Sequence, residues 1–269
     1  MRTRRKAAPS KVTLAHVARA AQVSEITVSR VLRAKEPIAE ETRLKVEQAV
    51  RAVGYVPNRI AGALASAATD LVGVVVPSLD NIVFPDVLRG IDQAVSAGGL
   101  RVVMGVSGYD PHEEEALLRS LLSWRPAALI VTGLDHAPQT RTMLAKAGLT
   151  VVEIMDIDAA AVDIAIGMSH RRAGEAMARH LLERGYRRFG YVGHDLTRDL
   201  RAARRREGFV TALQAAGATL ADEVVLDAPS STARGRDALA RLLAQTPEVD
   251  AVYFSNDDMA VGGYFHCLD

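Results

Sequence analysis

Glu25, Ile26, Ser29 and Arg30 are spaced so that one side of a short helix presents a carboxylate, an apolar branch, a hydroxyl and a guanidinium. Those groups suit the reading of base edges. A guanidinium fork can hold guanine O6 and N7 together, a carboxylate accepts from cytosine, and isoleucine presses on a thymine methyl. They face outward because their neighbours face inward. In TLAHVARAA, Leu14, Val17, Ala18 and Ala21 fall at i, i+3, i+4 and i+7, and in SEITVSRVL, Val28, Val31 and Leu32 make a matching stripe, with Ser24 placed as N-cap. The pattern predicts a helix-turn-helix whose second helix enters a major groove. By itself it also fits two small amphipathic helices with no nucleic-acid role.

Charge favours the first reading. Residues 1–60 hold thirteen Lys or Arg against five Asp or Glu, net +8, and the remainder holds twenty against twenty-seven, net −7. A basic head attracts phosphates, and an acidic body is repelled by them. The leading RTRRK reads as a phosphate-seeking arm or, equally, a solvated tail.

A second chemical cluster is Arg201, Arg204, Arg205 and Arg206, at the start of a predicted helix where the macrodipole disfavours cations. Either these side chains splay into water or one turns inward to meet an anion. Ser78, Asn81, Phe84 and Tyr109 follow predicted strands, where ligands of open α/β sheets bind; Phe84 suits helix-start packing equally well. Trp124, Met104, Met143 and Met177 read as core.

The elements that must position these groups follow from periodicity. A third helix runs over 40–53 and stops at Gly54. After Pro57 an alanine-rich stretch is too short to be stable as a free helix. It is either an ordinary linker or a hinge helix that orders on DNA, with Leu64 as a wedge in a central minor-groove step. From Leu71 onward, LVGVVVP, RVVMGVS, AALIVTG and TVVEIM alternate with helical patterns. A second series, VDIAIG, RRFGYVG, EVVLDA and DAVYFSN, repeats the alternation and predicts a separate parallel sheet. Two such lobes imply a cleft walled by loops beginning at Ser78, Ser107, Gly133, Gly193 and Ser255.

The expected fold is therefore α + α/β. Residues 1–56 form a helix-turn-helix head, 57–69 a hinge-helix linker, and 70–269 a core of two doubly wound parallel-sheet lobes, about 70–160 and 161–269. The single Cys267 and the absence of an apolar signal core point to a reducing cytosol, and no apolar run is long enough to span a membrane. No phosphate loop or HExxH occurs, and the seven histidines lack metal-ligand spacing, so neither cofactor nor metal is expected. Asp257 and Asp258 are an unpromising acid/base pair, since neighbours at a helix start point apart.

The order TVSRVL, GYVPN, an Ala/Leu-rich hinge, LVGVVVPSLDNIVFPDVLRGI and AVYFSNDDMAVG resembles the lactose-repressor (LacI/GalR) family of bacterial transcription regulators across essentially the whole chain. SLLSWRPAALIVTGLDHAPQTRTM and VVEIMD are most similar to its repressors of gluconate-utilisation genes. The resemblance implies two periplasmic-binding-protein-like lobes and a homodimer on a pseudo-palindromic operator of double-stranded DNA. A small sugar or sugar-acid effector would close the cleft and alter the hinges. It assigns Ser24, Glu25, Ile26, Thr27, Ser29 and Arg30 to recognition-helix contacts, Thr13, Tyr55 and Asn58 to the DNA backbone, and Leu64 to intercalation. For the effector it points to Arg205, by its spacing from Gly208 and Phe209, and to Asn256 and Asp257. Where many relatives have an acidic residue, Ser169 stands in IGMSHRRAG, which suits an anionic sugar acid better than a neutral sugar. The family continues beyond the point where this sequence reads HCLD, so the second lobe is expected to be incomplete. The expected function is an operator-binding repressor of carbohydrate or sugar-acid genes, not an enzyme. A sugar-binding protein without DNA-regulatory activity accounts only for the lobes, and a sugar-acid-modifying enzyme only for the fold.

Overall fold

The computed structural model describes residues 12–33, 38–56 and 69–268, and the chain divides into two compact units, 1–66 and 67–269. The basic arm, Asn58, Leu64 and, but for Thr69, the hinge expected over 57–69 lie outside the described residues.

In the first unit, α1 (Leu14–Ala21), α2 (Glu25–Arg33) and α3 (Glu40–Val53) enclose one small core. Val17, Val28 and Val46, one from each helix, are fully buried, with Ala18, Ala21 and Ala49 between them and Leu14, Val31, Leu32, Val50, Val53 and Tyr55 packed around. These are the positions the periodicity selects. Helices of this length are marginal alone, so each depends on the other two, at about 1.5–3 kcal/mol for a fully buried valine. The orientation of α2 is thus set by packing. The tight turn before it is made by Gln22 in the left-handed region (φ +55°), and Gly54 (φ +66°) ends α3 as expected.

The second unit holds two parallel sheets. In the first, β1 (Leu71–Val76), β2 (Arg101–Val106), β3 (Ala128–Thr132), β4 (Thr150–Ile154) and β5 (Ile164–Ile166) run in the order β2-β1-β3-β4-β5. The helices α4 (Val83–Ala97), α5 (Pro111–Ser123) and α6 (Pro138–Ala145) connect them. After α7 (His170–Glu183), the second sheet is β7-β6-β8, from β6 (Phe189–Gly193), β7 (Leu220–Val225) and β8 (Ala251–Phe254). It is accompanied by α8 (Leu200–Ala215), α9 (Thr232–Gln245) and α10 (Asp257–Leu268). β1 and β6 are each flanked on both sides by later strands, so in each lobe the crossovers part at that strand's carboxyl end and leave a crevice.

One boundary needs correction. VDIAIG was expected to open the second sheet, with the first lobe ending near 160, but β5 pairs with β4 in the first sheet, Val152 opposite Ile164 through Ile154 opposite Ile166. A strand is assigned by its partner, which alternation along the chain does not specify. Three core expectations also fail. Trp124 is 42% exposed because it caps α5 just past the buried Leu118 and Leu121. Met104 lies exposed on the edge strand β2, and Met177 is exposed along a cavity wall, whereas Met143 packs on the first core as expected.

Close backbone packing fixes α8. A methyl at Gly208 would lie closer than 3.0 Å to the carbonyl oxygen and carbon of Arg171 on α7, and one at Gly174 would strike the backbone of Arg205. Only glycine lets the two helices approach this closely.

Candidate nucleic-acid interface and ligand cleft

On α2, Ser24 Oγ accepts from the Thr27 amide at 3.1 Å and lies 2.9 Å from Thr27 Oγ1, so these two residues start the helix. Glu25, Ile26 and Arg30 are exposed, Ile26 by 68%, and Ser29 is half-buried beside them. Ile26 stands exposed while Val28, two residues on, is fully buried, so the two side chains lie on different faces of α2. The Thr13 amide donates to His16 Nδ1 at 3.1 Å where α1 begins. Tyr55 packs on the head's core, so its ring has a structural role whatever its hydroxyl contacts.

Between the two lobes lies a cavity of about 570 Å³. Asn81, Phe84, Tyr109, Arg205, Asn256 and Asp257 all line it. Ser78 and Ser169 do not: Ser78 Oγ accepts from the Asp80 amide at 3.0 Å, and Ser169 caps α7 by accepting from the Arg172 amide at 3.1 Å. Gly193, expected to begin a wall, is likewise not a lining residue. Asn81 and Asn256 use their carbonyl oxygens on the amides of Val83 (3.0 Å) and Met259 (3.1 Å), leaving their NH2 groups as donors to a ligand. Phe84 is both core and wall: it is buried with Val72, Val74 and Val76, and one edge reaches the cavity. Tyr109 sits in the left-handed region (φ +58°), and burial, reinforced by the charge of Asp199, pushes its phenol up to about 12. It is a neutral donor at any working pH.

None of the four clustered arginines simply splays into water. Arg204 reaches across to the first lobe, where Nη1 donates to Asp135 (2.6 Å) and to the fully buried Asp156 (2.7 Å). Arg206 pairs with Glu223 and lies over the Tyr191 ring at 5.6 Å. Arg205 turns inward, but its nitrogens are already engaged: Nε and Nη2 donate to the Ser255 carbonyl (3.2 and 2.6 Å), and Nη1 to His170 Nδ1 (2.9 Å). Because Arg can only donate, His170 Nδ1 must accept, and its Nε2–H then donates to the Met155 carbonyl at 2.7 Å. Burial first, and the Arg205 charge after it, hold this imidazole below its usual value, consistent with the neutral tautomer.

Arg201 is what sequence reasoning missed. It is only 9% exposed, lines the cavity, and sits over the rings of Phe84 (5.6 Å) and Tyr109 (5.9 Å). Asp199, the N-cap of α8, was missed with it, and so was His194, which lies 3.4 Å from Asp199 through Nε2 and 2.8 Å from Ser255 Oγ through Nδ1. Burial alone would raise the Asp199 carboxyl, but the His194 bond and the charges of Arg201 and Arg205 outweigh it, so it is held low. Ser255, His194 and Asp199 in line invite a nucleophile reading. With Ser255 only 1% exposed, the array serves instead to hold Asp199 in place. The one available sequence signal was Asp199 itself, a capping residue just before the arginine run.

A smaller cavity of about 390 Å³ shares Tyr109, Asp199 and Arg201 with the first. At its wall His136 Nδ1 bonds Glu114 (2.7 Å), while its Nε2 lies 3.3 Å from the fully buried Glu153 without a hydrogen bond between them. Among the described residues no group of three or more His, Cys, Asp or Glu could hold a metal, and no helix is long and apolar enough to cross a membrane.

Residues 69–269 match the periplasmic binding proteins and sugar binding domain of the LacI family, and residues 13–58 the bacterial regulatory proteins of the lacI family. The chain is 44% identical to the HTH-type transcriptional regulator GntR of Pseudomonas aeruginosa over 95% of its own length and 74% of that protein's. The crystal structure of a LacI-family transcriptional regulator from Silicibacter pomeroyi matches with a TM-score of 0.92 at 46% identity, covering 96% of this chain and 77% of that one. The lac repressor dimer bound to operator and the anti-inducer ONPF matches with a TM-score of 0.77 at 25% identity, covering 96% and 78%. Likeness in sequence and fold along nearly its whole length, to proteins named as regulators rather than enzymes, makes this chain a member of the LacI family of DNA-binding transcriptional regulators.

Proposed function

We propose that the protein represses genes of carbohydrate or sugar-acid use by binding a pseudo-palindromic operator as a homodimer, and that a small sugar-like effector between the lobes alters its hold on that operator. The observation that carries this is the α2 face: Glu25, Ile26 and Arg30 stand exposed while Val28 is buried, on a head of net positive charge. Phosphate attraction supplies non-specific affinity, and these side chains supply base preference. Thr13, Ser24, Thr27, Ser29, Tyr55, Asn58 and the wedge Leu64 complete the operator contacts in this reading. Two-fold symmetry sets the recognition helices one DNA turn apart. The mixed lining of the cleft, with asparagine NH2 groups, arginines and aromatic faces, suits a polyol bearing a negative charge. The lac repressor, as a dimer on operator with a small ligand, supports the dimeric, effector-responsive form. Such a regulator works in the bacterial cytoplasm and needs no cofactor.

Fluorescence-anisotropy titration of a selected palindrome at fixed salt, with and without D-gluconate and related aldonates, tests the reading. Specific binding that one aldonate weakens or strengthens is the expected result. Affinity no better than for a scrambled duplex would refute it.

A further inference from the structure

Two buried polar atoms of the first lobe stand close together without a hydrogen bond. Nε2 of His136 and Oε1 of Glu153 lie 3.3 Å apart, just beyond the usual bond length and sealed from solvent. The other end of each group is committed. His136 Nδ1 meets Glu114 at 2.7 Å, and a carboxylate can only accept, so Nδ1 carries the hydrogen and Nε2 of the neutral ring is a bare lone pair. Glu153 Oε2 accepts from the Val162 amide. An imidazole lone pair set against a carboxylate oxygen, at a separation that leaves no room for water, is a repulsive contact of two dehydrated acceptors. One proton between them turns it into a charge-assisted bond. That proton belongs to the pair, as imidazolium against carboxylate or as imidazole against carboxylic acid.

The neighbouring charges act in both directions. Glu114 on α5 favours the proton, and Arg141 on α6 opposes it. Asp163 is turned to the Val151 amide at 3.1 Å. Across the smaller cavity, Asp110 caps α5, Asp135 holds Arg204 and Asp199 pairs with His194, with His112, Arg198 and Arg201 beside them. What the proton steadies is the loop between β4 and β5. Glu153 bonds that loop at Val162, and Arg141 bonds it at the Ala160 carbonyl (2.9 Å). The same loop reaches the second lobe twice, where Asp156 accepts from Arg204 (2.7 Å) and Asp158 from the Arg171 amide at the start of α7 (3.0 Å).

We infer that His136 and Glu153 share one proton, and that losing it loosens the loop at Val162 and, through Asp156 and Asp158, its grip on the second lobe. As pH rises the proton leaves, the carboxylate turns from the lone pair, and the Val162 amide loses its acceptor. The link between the lobes thus responds to pH from a site outside the larger cavity, whatever ligand that cavity takes.

The test uses the full chain between about pH 6 and about pH 9. Long-range proton–nitrogen NMR correlation reports the ring nitrogens of His136, and hydrogen exchange corrected for intrinsic rate reports the amides of Val162 and Arg171. In the wild type both amides should exchange about 10-fold faster or more once the proton leaves, in step with the ring signal. Glu153→Gln offers Nε2 an amide hydrogen and Val162 a carbonyl, so it needs no shared proton, and both amides should stay protected throughout. His136→Gln offers Glu153 an amide hydrogen in place of the ring nitrogen and should behave alike; it decides the matter alone if Glu153→Gln fails to fold. Protection independent of pH at either amide in the wild type, or a wild-type pH dependence in either folded variant, overturns the inference.

Discussion

The same substitution should have opposite effects at two helical glycines. Gly208→Ala places a methyl closer than 3.0 Å to the Arg171 carbonyl oxygen and carbon, whereas Gly90→Ala on α4 meets nothing within 4 Å. Alanine in a helix interior gains about 1 kcal/mol over glycine, from helix propensity and the smaller entropy of the unfolded chain, so Gly90→Ala should be stabilising by roughly that amount. At Gly208 the same gain is opposed by overpacking, ordinarily about 1–3 kcal/mol and here at or above the top of that range, because the obstacle is backbone and cannot rotate away. The net expectation is a loss of about 2 kcal/mol or more. For a unit of this size that lowers Tm by about 4–8 °C, against a rise of about 2–4 °C for Gly90→Ala. Thermal melts followed by circular dichroism would measure both. If Gly208→Ala proved as stable as Gly90→Ala, the close approach of α7 and α8 would be wrong. The positions of Arg201, Arg204 and Arg205, all borne by α8, would fall with it.

Arg30→Ala should relax base preference at one position in each half-site, weakening the cognate operator about 10- to 100-fold while leaving scrambled DNA nearly unaffected; equal losses on both duplexes in anisotropy titrations would show a phosphate contact instead. Arg204→Met leaves Asp156 charged and buried and should cost about 3–5 kcal/mol by calorimetry, most of it recovered by adding Asp156→Asn. No recovery would mean that the ion pair is not the cause. Burial alone would lower the His136 pKa, but the bond and charge of Glu114, with Glu153 behind it, outweigh burial and the repulsion of Arg141, and hold it above 6.5. A raised folded value gives stability that is fully present below the unfolded pKa and lost as pH rises through the folded one, so Tm should decline on going from pH 6 upward. His136→Gln should flatten that decline, and an unchanged slope would assign it to another group.

The head was legible because its core is made by neighbours in sequence: Val17, Val28 and Val46 sit where 3.6-residue periodicity puts them. Most of the cleft was legible for a related reason, since Asn81, Tyr109 and Asn256 follow strand ends, and strand ends are where open α/β sheets bind ligands. What failed depends on contacts distant in sequence. β5 pairs with β4 across a connection that no alternation encodes. Arg201 and Arg205 look alike in a charge run, and only the third dimension shows that Ser255 and His170 take up one of them. Ser169 was drawn toward a ligand by its place in the family pattern, whereas its hydroxyl caps α7.

Arg204, Arg205 and Arg206 follow one another along α8, about 100° apart around its axis. Each is bound to a different body: the carboxylates of the opposite lobe, the loop after β8, and strand β7. A shaft pinned at three bearings cannot turn. Any rotation of α8 by part of a turn would strain all three attachments together, and the close backbone packing on α7 leaves no room for movement toward that helix. A displacement at one of these arginines is therefore not absorbed by local twisting of the helix that carries them. It is shared with the lobe, the loop and the strand to which they are tied.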